Sequence, residues 1–346
     1  MTGDADLLFI IGSGDEADQI TRAGSRILVA GSSDLTKLLL DREPHHRLHV
    51  TRNYFRQGRQ AELTGYRVLV NLITEPEGNA KVLENLKKLL RGVPGRLVNA
   101  PDAVLRTTRD LVAKRLAGAP GLIVPNAVRL QGGKPAVAAR ALDKAGAEPP
   151  LIVRQVGTHS GRILGLYDTR DDAVAALEPS GDHVATEFVD FQSPDGLYRK
   201  YRAFFIGPHI VLRHMLVSDE WNVHANDRTR FMAERPELVA EERALFEAAG
   251  DPFPSRVMET LRPVRDRMGL DFFGMDFGIN ADGQVVLFEA NATMSFFPFA
   301  PDPQFEYLRA CFAPAQAAFR ELLGLKPEVA PVARGGCSRP DVRQLR

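Results

Sequence analysis

Asp276, Glu289 and Asn291 are the residues whose types and spacing could do chemistry together. They lie in the stretch Phe272 to Phe299, FFGMDFGINADGQVVLFEANATMSFFPF. Asp282-Gly283 reads as a two-residue type I′ turn, because both residues tolerate the positive φ that such a turn requires. With Ala281 opposite Gln284, counting back sets Phe277 against Phe288, Asp276 against Glu289 and Gly274 against Asn291. Side chains alternate between the faces of a strand, so Asp276, Glu289 and Asn291 share one face. Met275, Phe277, Ile279, Val286, Phe288 and Ala290 share the other, which is apolar and predicts a core. Gly274 and Gly278 leave space above the carboxylates. Like charges directly opposed destabilise a strand pair. Two carboxylates and an amide oxygen converging on one spot therefore call for a hard cation. Such oxygen ligands suit Mg²⁺, which keeps waters and takes substrate phosphates as its remaining ligands. A solvated sheet face with two unpaired acids is the plain alternative. It fits less well, because the turn, the register and the apolar back face all agree.

Other candidate groups precede this hairpin. In PLIVRQVGTHSGRILGLYD, Leu151 to Val156 and Arg162 to Tyr167 read as strands. The loop Gly157-Thr158-His159-Ser160-Gly161 joins them. A glycine-bounded loop with hydroxyls can fold backbone N–H groups over phosphates. A second hairpin, Leu197 to Ile206 and His209 to Leu216 around Gly207-Pro208, carries Lys200, Arg202 and Arg213. Alternation puts Tyr198, Lys200, Arg202 and Phe204 on one face; surface cations on a hairpin are the ordinary alternative. Trp221 and His224, in Ser218 to Asn226, could line a pocket or form a lid packed on the core.

The elements that position these groups follow from the pattern of the chain. Leu7 to Ile11 is a short strand, followed by a turn at Gly12-Ser13-Gly14 that lacks the spacing of a P-loop or a dinucleotide fingerprint. Arg26 to Ala30 and Tyr66 to Leu72 read as buried strands of a parallel sheet, and Leu97 to Asn99 as another. Glu77 to Leu90 is an amphipathic helix. His45, His46 and His49 sit among arginines in a loop. Helices are expected over Asp102 to Leu116, Val137 to Ala147, Asp171 to Leu177, Pro236 to Ala249, Pro254 to Met268 and Glu306 to Leu323. Gly121 to Pro125 and Val184 to Phe191 are strands. Four segments result: an α/β domain over 1–101, a first α+β lobe over 102–185, a second over 186–325, and a Pro-, Gly- and Arg-rich tail over 326–346 read as disordered.

The composition excludes several classes. The 346 residues suffice for two or three cores, and 44% apolar with 25% charged residues is ordinary for a globular chain. A formal net charge of zero favours no polyanion partner, so no nucleic acid is expected. Two cysteines exclude a disulfide framework and a cysteine-based zinc site. No run reaches the length of a membrane span, and the chain is expected in the cytoplasm.

The pattern Gly274-x-Asp276 followed by Glu289-x-Asn291 resembles the metal-binding strands of the ATP-grasp superfamily. In its form it is similar to the glutathione-synthetase and ribosomal-protein glutamate-ligase branch. The resemblance implies an ATP-grasp fold, α/β plus α+β, in which two lobes clamp ATP. It implies ATP and two Mg²⁺ ions (Mn²⁺ could substitute) held by Asp276, Glu289 and Asn291. It further implies a basic residue at the α-phosphate, Arg109 or Lys114, and puts Arg154 where the family carries a phosphate-binding lysine. Gly157 to Gly161 would close over the phosphates. Glu187, Phe188 and Val189 would hold the adenine at a hinge, with Asp190 on the ribose. Lys200 would join the ATP-binding residues, while Arg202 and Arg213 would neutralise the γ-phosphate or an acyl phosphate. The implied activity is ligation of a small-molecule or peptide carboxylate to an amine through an acyl phosphate. A protein-modifying amino-acid ligase and an ATP-binding module are the rivals, and a homodimer is left open. After Asn291 the family often continues Ser-Pro-Gly, where this chain has Ala292-Thr293-Met294-Ser295 and the run Phe296-Phe297-Pro298-Phe299. That departure bears on the class of substrate.

Overall fold

A computed structural model of the chain describes residues 6–13, 21–23, 26–28, 34–41, 43–51, 53–56, 61–157, 162–248 and 250–326. The expected tail beyond 326 and the loop residues Thr158, His159, Ser160 and Gly161 lie outside them.

The N-terminal sheet is parallel and four-stranded, in the order His46–Thr51, Leu7–Ser13, Val68–Asn71, Arg96–Val98. Its central strand, LLFIIGS, is buried at every position, as a strand covered on both faces must be. Three expectations are corrected here. Gly12 and Ser13 continue the strand instead of turning, and a Cβ on Gly12 would lie 1.7 Å from the Val50 carbonyl oxygen. That glycine serves close strand approach. The edge strand is His46–Thr51, which the sequence suggested as a loop. Only Val50 of its six residues is buried, so it lacks the apolar run that marks an inner strand. Arg26–Leu28 pairs antiparallel with Thr21–Ala23, outside the parallel sheet.

The first lobe is an antiparallel sheet in the order Ile163–Tyr167, Leu151–Gln155, Asp182–Glu187, Ala127–Gln131. The helix Pro135–Ala145 covers it through Ala138 and Leu142 and ends on Gly146 in the left-handed conformation, φ 61°. The second lobe is a five-stranded sheet: His209–Ser218, Tyr198–Ile206, Phe272–Ile279, Val285–Asn291, Leu122–Ile123. Its last strand comes from the chain segment that otherwise builds the first lobe, and it pairs parallel with Val285–Val286. Met275, Phe277, Leu287 and Ala290 bury the back of this sheet against the helix Ser255–Met268. Phe205 and Phe273 stack in the same layer at 4.4 Å. Each fully buried Phe stabilises the fold by about 1.5–3 kcal/mol.

Two predicted helices are divided. Asp102 to Leu116 becomes Pro101–Val104 and Arg109–Leu116. Thr107 Oγ1 donates to the Val104 carbonyl and closes the first helix, and Thr108 is extended before the second. The break puts Arg109 at a helix start, facing the second-lobe sheet. Glu306 to Leu323 becomes a 3₁₀ stretch, Pro303–Cys311, and the α-helix Phe312–Leu322. Pro314 falls in the first turn of that helix, where its missing N–H leaves no intrahelical bond unmade. No helix among the described residues is long and apolar enough to cross a membrane.

Candidate active site

The hairpin Phe272–Ile279 and Val285–Asn291 brings Asp276 opposite Glu289 and Gly274 opposite Asn291, as counted from the sequence. The count reaches that register through two compensating differences. The turn is one residue longer than type I′: Asn280 N–H donates to Gln284 O, Gly283 N–H donates to Asn280 O, and Gly283 takes φ 72°. This offset sets Phe277 against Leu287, not Phe288. A bulge at Phe288 then restores the alignment for Asp276 and Glu289. Leu287 therefore takes the place in the core expected for Phe288. The Phe288 ring instead lies 4.5 Å from Phe191, and a Cβ on Gly278 would come within 2.7 Å of it. Phe191, Phe288 and Tyr198 form an aromatic floor on the face of Gly278.

Each acid holds a cation. Buried Asp276 takes Arg202 through both oxygens, with Nε to Oδ1 at 2.6 Å and Nη2 to Oδ2 at 2.8 Å. Burial alone would raise the Asp276 carboxyl, but the facing Arg202 guanidinium wins and holds it below the usual carboxylate range. Glu289 Oε2 accepts from Arg109 Nη2 at 2.5 Å, and Arg109 Nη1 also donates to Phe288 O. Lys114, the other candidate for that place, is exposed on the same helix. Asn291 Nδ2 donates to Glu289 Oε1 at 2.7 Å. Its Oδ1 accepts from the Thr293 and Met294 amides, so a cation could use that oxygen only by sharing it.

The first lobe faces this hairpin. A cavity between them is lined by Arg109, Ala127, Thr186, Phe288 and Glu289, among others. Arg154 stands on the first-lobe sheet opposite Ile163 and Val184. Burial, with Arg109 adding to it, lowers its guanidinium to about 9, and Glu289 opposes the shift. Lys200 Nζ donates to Val223 O; burial lowers its pKa while Asp276 raises it. Gly157 has φ 76° at the start of the loop. The strand expected to reach Phe191 ends at Glu187, whose carboxylate accepts from the Asn126 and Glu148 amides and so braces its own lobe. Phe188 N–H donates to Pro150 O, and its ring meets Trp221 at 5.6 Å. Val189 packs partly buried with the aromatic floor. Asp190 is exposed, and its Oδ1 accepts from Gln192 N–H. His224 is exposed, with its amide donating to Asp227.

Arg213 does not join the Asp276 row. It is buried beside the aromatic run, with Nε donating to Phe296 O at 2.7 Å and Nη2 to Pro298 O at 2.8 Å. A bulge between Arg202 and Ala203 is the cause: residue 206 pairs with 209 and 203 with 212, but Arg202 pairs with His214. His214, Arg202, Asp276 and Glu289 thus form one row across four strands. Sequence reasoning missed His214 and the turned Phe288, since both depend on a bulge.

Among the described residues no group of three or more His, Cys, Asp or Glu could hold a metal alone. Two opposed carboxylates with a neighbouring amide fit Mg²⁺ of the kind that completes its shell with phosphates and water.

No family model matches the chain, and no curated protein matches it in sequence. Among solved structures it is similar to the VanG D-Ala:D-Ser ligase from Enterococcus faecalis, with 12% identity and a TM-score of 0.51 over 92% of this chain and 98% of that one. A RiPP-associated ATP-grasp ligase from Chryseobacterium gregarium, solved with ADP and a leader and core peptide, shares 10% identity with a TM-score of 0.52 over 93% and 97%. The ATP-grasp ligase PsnB, solved with the precursor peptide PsnA2 and AMPPNP, shares 15% identity with a TM-score of 0.50 over 93% and 99%. The chain has the ATP-grasp fold.

Proposed function

We propose that this chain is an ATP-dependent ligase that joins a carboxylate to an amine and releases ADP and phosphate. The observation that carries the reading is the row Arg202–Asp276–Glu289, with Arg109 on Glu289 and Arg154 facing it from the first lobe. Three guanidiniums and two acids around one cleft suit a polyphosphate and its counterions. Asp276 and Glu289 would hold Mg²⁺, with Asn291 sharing its oxygen, and the metal when bound would neutralise charge on the transferring phosphoryl group. Two such ions, or Mn²⁺ in their place, agree with the donor set.

In this reading the substrate carboxylate oxygen attacks the γ-phosphorus, and the bond to the bridging oxygen of ADP breaks. The amine nitrogen then attacks the acyl carbon, phosphate leaves, and the nitrogen sheds a proton. Arg202 is fixed by Asp276 and meets the equatorial phosphoryl oxygens without further reorganisation. Arg109 and Arg154 position the inner phosphates, and Lys200 adds charge above them. Phe288, Phe191 and the Phe188–Val189 link supply an apolar bed for a base. No serine–histidine or cysteine–histidine pair stands in the row to accept the phosphate itself.

The substrates are a small-molecule or peptide acid and an amine, and peptides occupy two of the similar structures described above. The test is trapping. With an acid substrate, ATP and hydroxylamine, a hydroxamate should form, and ¹⁸O from the acid should appear in the released phosphate. AMP and pyrophosphate as products would sink the acyl-phosphate route. Magnesium-dependent stabilisation by ATP without ADP release in any acid and amine screen would leave a binding module.

A further inference from the structure

Arg213 and His214 make a corner at the end of the Arg202–Asp276–Glu289 row, and its charge is not matched. In a regular strand two successive side chains point to opposite faces. The bulge that sets Arg202 opposite His214 also frees Arg213 from that alternation. Arg213 turns to the side of Phe296 and Phe299 instead of the core that holds its neighbour Leu212. Bulges next to functional sites serve to re-aim a side chain in this way.

What Arg213 meets there is unusual for a buried cation. It is 6% exposed. Its guanidinium sits 4.4 Å from the Phe299 ring centroid and donates to two carbonyls, Phe296 O and Pro298 O. No carboxylate pairs with it among the described residues. Glu242, whose field reaches it, is committed to Arg228 through both oxygens and accepts from Tyr307. Burying a charge without a counter-charge is costly. The consequence is visible: burial lowers Arg213 to about 10, and Arg228 and Arg202 press in the same direction.

His214 repeats the pattern. Its Nε2 is buried without a hydrogen-bond partner. Burial keeps its ring neutral, with Arg202, Arg213, Arg228 and Lys200 adding to that effect. A buried polar atom left unpaired costs about 1–3 kcal/mol, so this nitrogen calls for a partner that the described residues do not supply.

We propose that Arg213 and His214 form an anion subsite that binds a carboxylate of the substrate, one that is not itself phosphorylated. Arg213 Nη1 makes no hydrogen bond to a described residue, and a planar fork matches a carboxylate. The His214 ring supplies a neutral donor beside it. Arg202 lies between this corner and Asp276, so the bound carboxylate is separated from the phosphates by one guanidinium. The aromatic run Phe296–Phe299 forms the wall. That the anion belongs to a substrate rests on the ligase reading; that the corner binds carboxylate does not.

The experiment separates the two. Melting of the full chain is followed in 100 mM sodium acetate, in acetamide, and in sodium chloride at matched ionic strength. Acetate should raise the wild-type Tm by about 2 °C over chloride, as expected for millimolar affinity in a chain of this size, and acetamide should not. Arg213→Met should abolish the response, and Arg213→Lys should retain part of it. Acetate should also move the His214 ring ¹⁵N resonances of the wild type, a readout that needs no variant. Equal responses to acetate and chloride, with unmoved His214 resonances, would overturn the subsite, as would a full response in Arg213→Met. The magnesium–ATP shift is measured alongside: its absence with acetate binding intact would count against the ligase reading alone.

Discussion

Arg202 and Arg213 are guanidiniums on one β-hairpin, Arg202 partly and Arg213 almost wholly buried, and their surroundings differ in one further respect. Arg202 has Asp276 bonded to two of its nitrogens. Arg213 has two peptide carbonyls and an aromatic ring. Burial lowers both pKa values, but the field of Asp276 reverses the sign for Arg202, and nothing does so for Arg213. The first arrangement is complete in the protein alone and acts as preorganised charge. The second is incomplete, and its missing member is an anion. A paired buried cation stays in place while chemistry proceeds around it; an unpaired one marks where something binds.

The comparison breaks most sharply at Asp276. Asp276→Asn should leave the partly buried Arg202 without its carboxylate, lower stability by about 2–3 kcal/mol in denaturant titrations, and reduce ADP release by about 10³-fold or more. Adding Arg202→Met to Asp276→Asn should recover part of the stability and none of the turnover. A double variant as unstable as the sum of its parts would show that the pair is not coupled. Glu289→Gln should lose turnover similarly at a smaller cost in stability, because its pair with Arg109 is more exposed than the Arg202–Asp276 pair.

The pair also fixes a pH dependence. Asp276 has a folded-state pKa below its unfolded value, because Arg202 outweighs burial. Its contribution is therefore complete above the unfolded pKa of about 3.9 and is lost as pH falls through the lower folded value. The stability gap between wild type and Asp276→Asn should be constant from pH 7 to about 5 and narrow below about 4. A gap that narrows instead toward high pH would assign the wrong sign to the interaction.

A smaller effect distinguishes the two helix cations. Arg109→Met should weaken magnesium–ATP binding about tenfold or more in calorimetry, since Arg109 reaches Glu289 and the cleft. Lys114→Met should change it less than twofold, because Lys114 is exposed on the helix. The sequence offered both with equal weight. The helix break at Thr107 and Thr108, which orients Arg109, is not visible in a periodic pattern.

The same contrast runs through the rest of the molecule. The hairpin row is legible because its signal is local: one turn, alternation, and two opposed acids, one of them flanked two residues away by glycines. The turn is one residue longer than the Asp-Gly signal suggests, and the Phe288 bulge cancels the offset. No such cancellation helped at Arg213. Counting from Gly207-Pro208 pairs Arg202 with residue 213, and the bulge replaces it with His214. Bulges depend on what packs across the sheet, which a single strand does not record. The strand His46–Thr51 was missed for a related reason, since an edge strand with one buried residue carries almost no apolar pattern. The covering of Glu187 by two backbone amides was likewise set by tertiary neighbours.

The smallest expected effects test the turn and the floor of the hairpin against each other. Gly283 has φ 72°, and a Cβ there would meet only Arg256 Nη1, at an ordinary 3.5 Å. Gly283→Ala therefore carries a conformational cost alone, about 1 kcal/mol, and should leave ATP affinity unchanged. Gly278 is a different case. Its backbone is regular strand, but a Cβ would lie 2.7 Å from Phe288 and 2.8 Å from Phe191, so one ring must move. Those rings line the face where the base would rest. Gly278→Ala should thus weaken ATP binding several-fold and cost about 1–3 kcal/mol of stability, at least as much as Gly283→Ala. Nucleotide titration and melting of the two variants side by side give the answer. Equal ATP affinity in both would mean that the aromatic floor is core packing, and that the base lies elsewhere in the cleft.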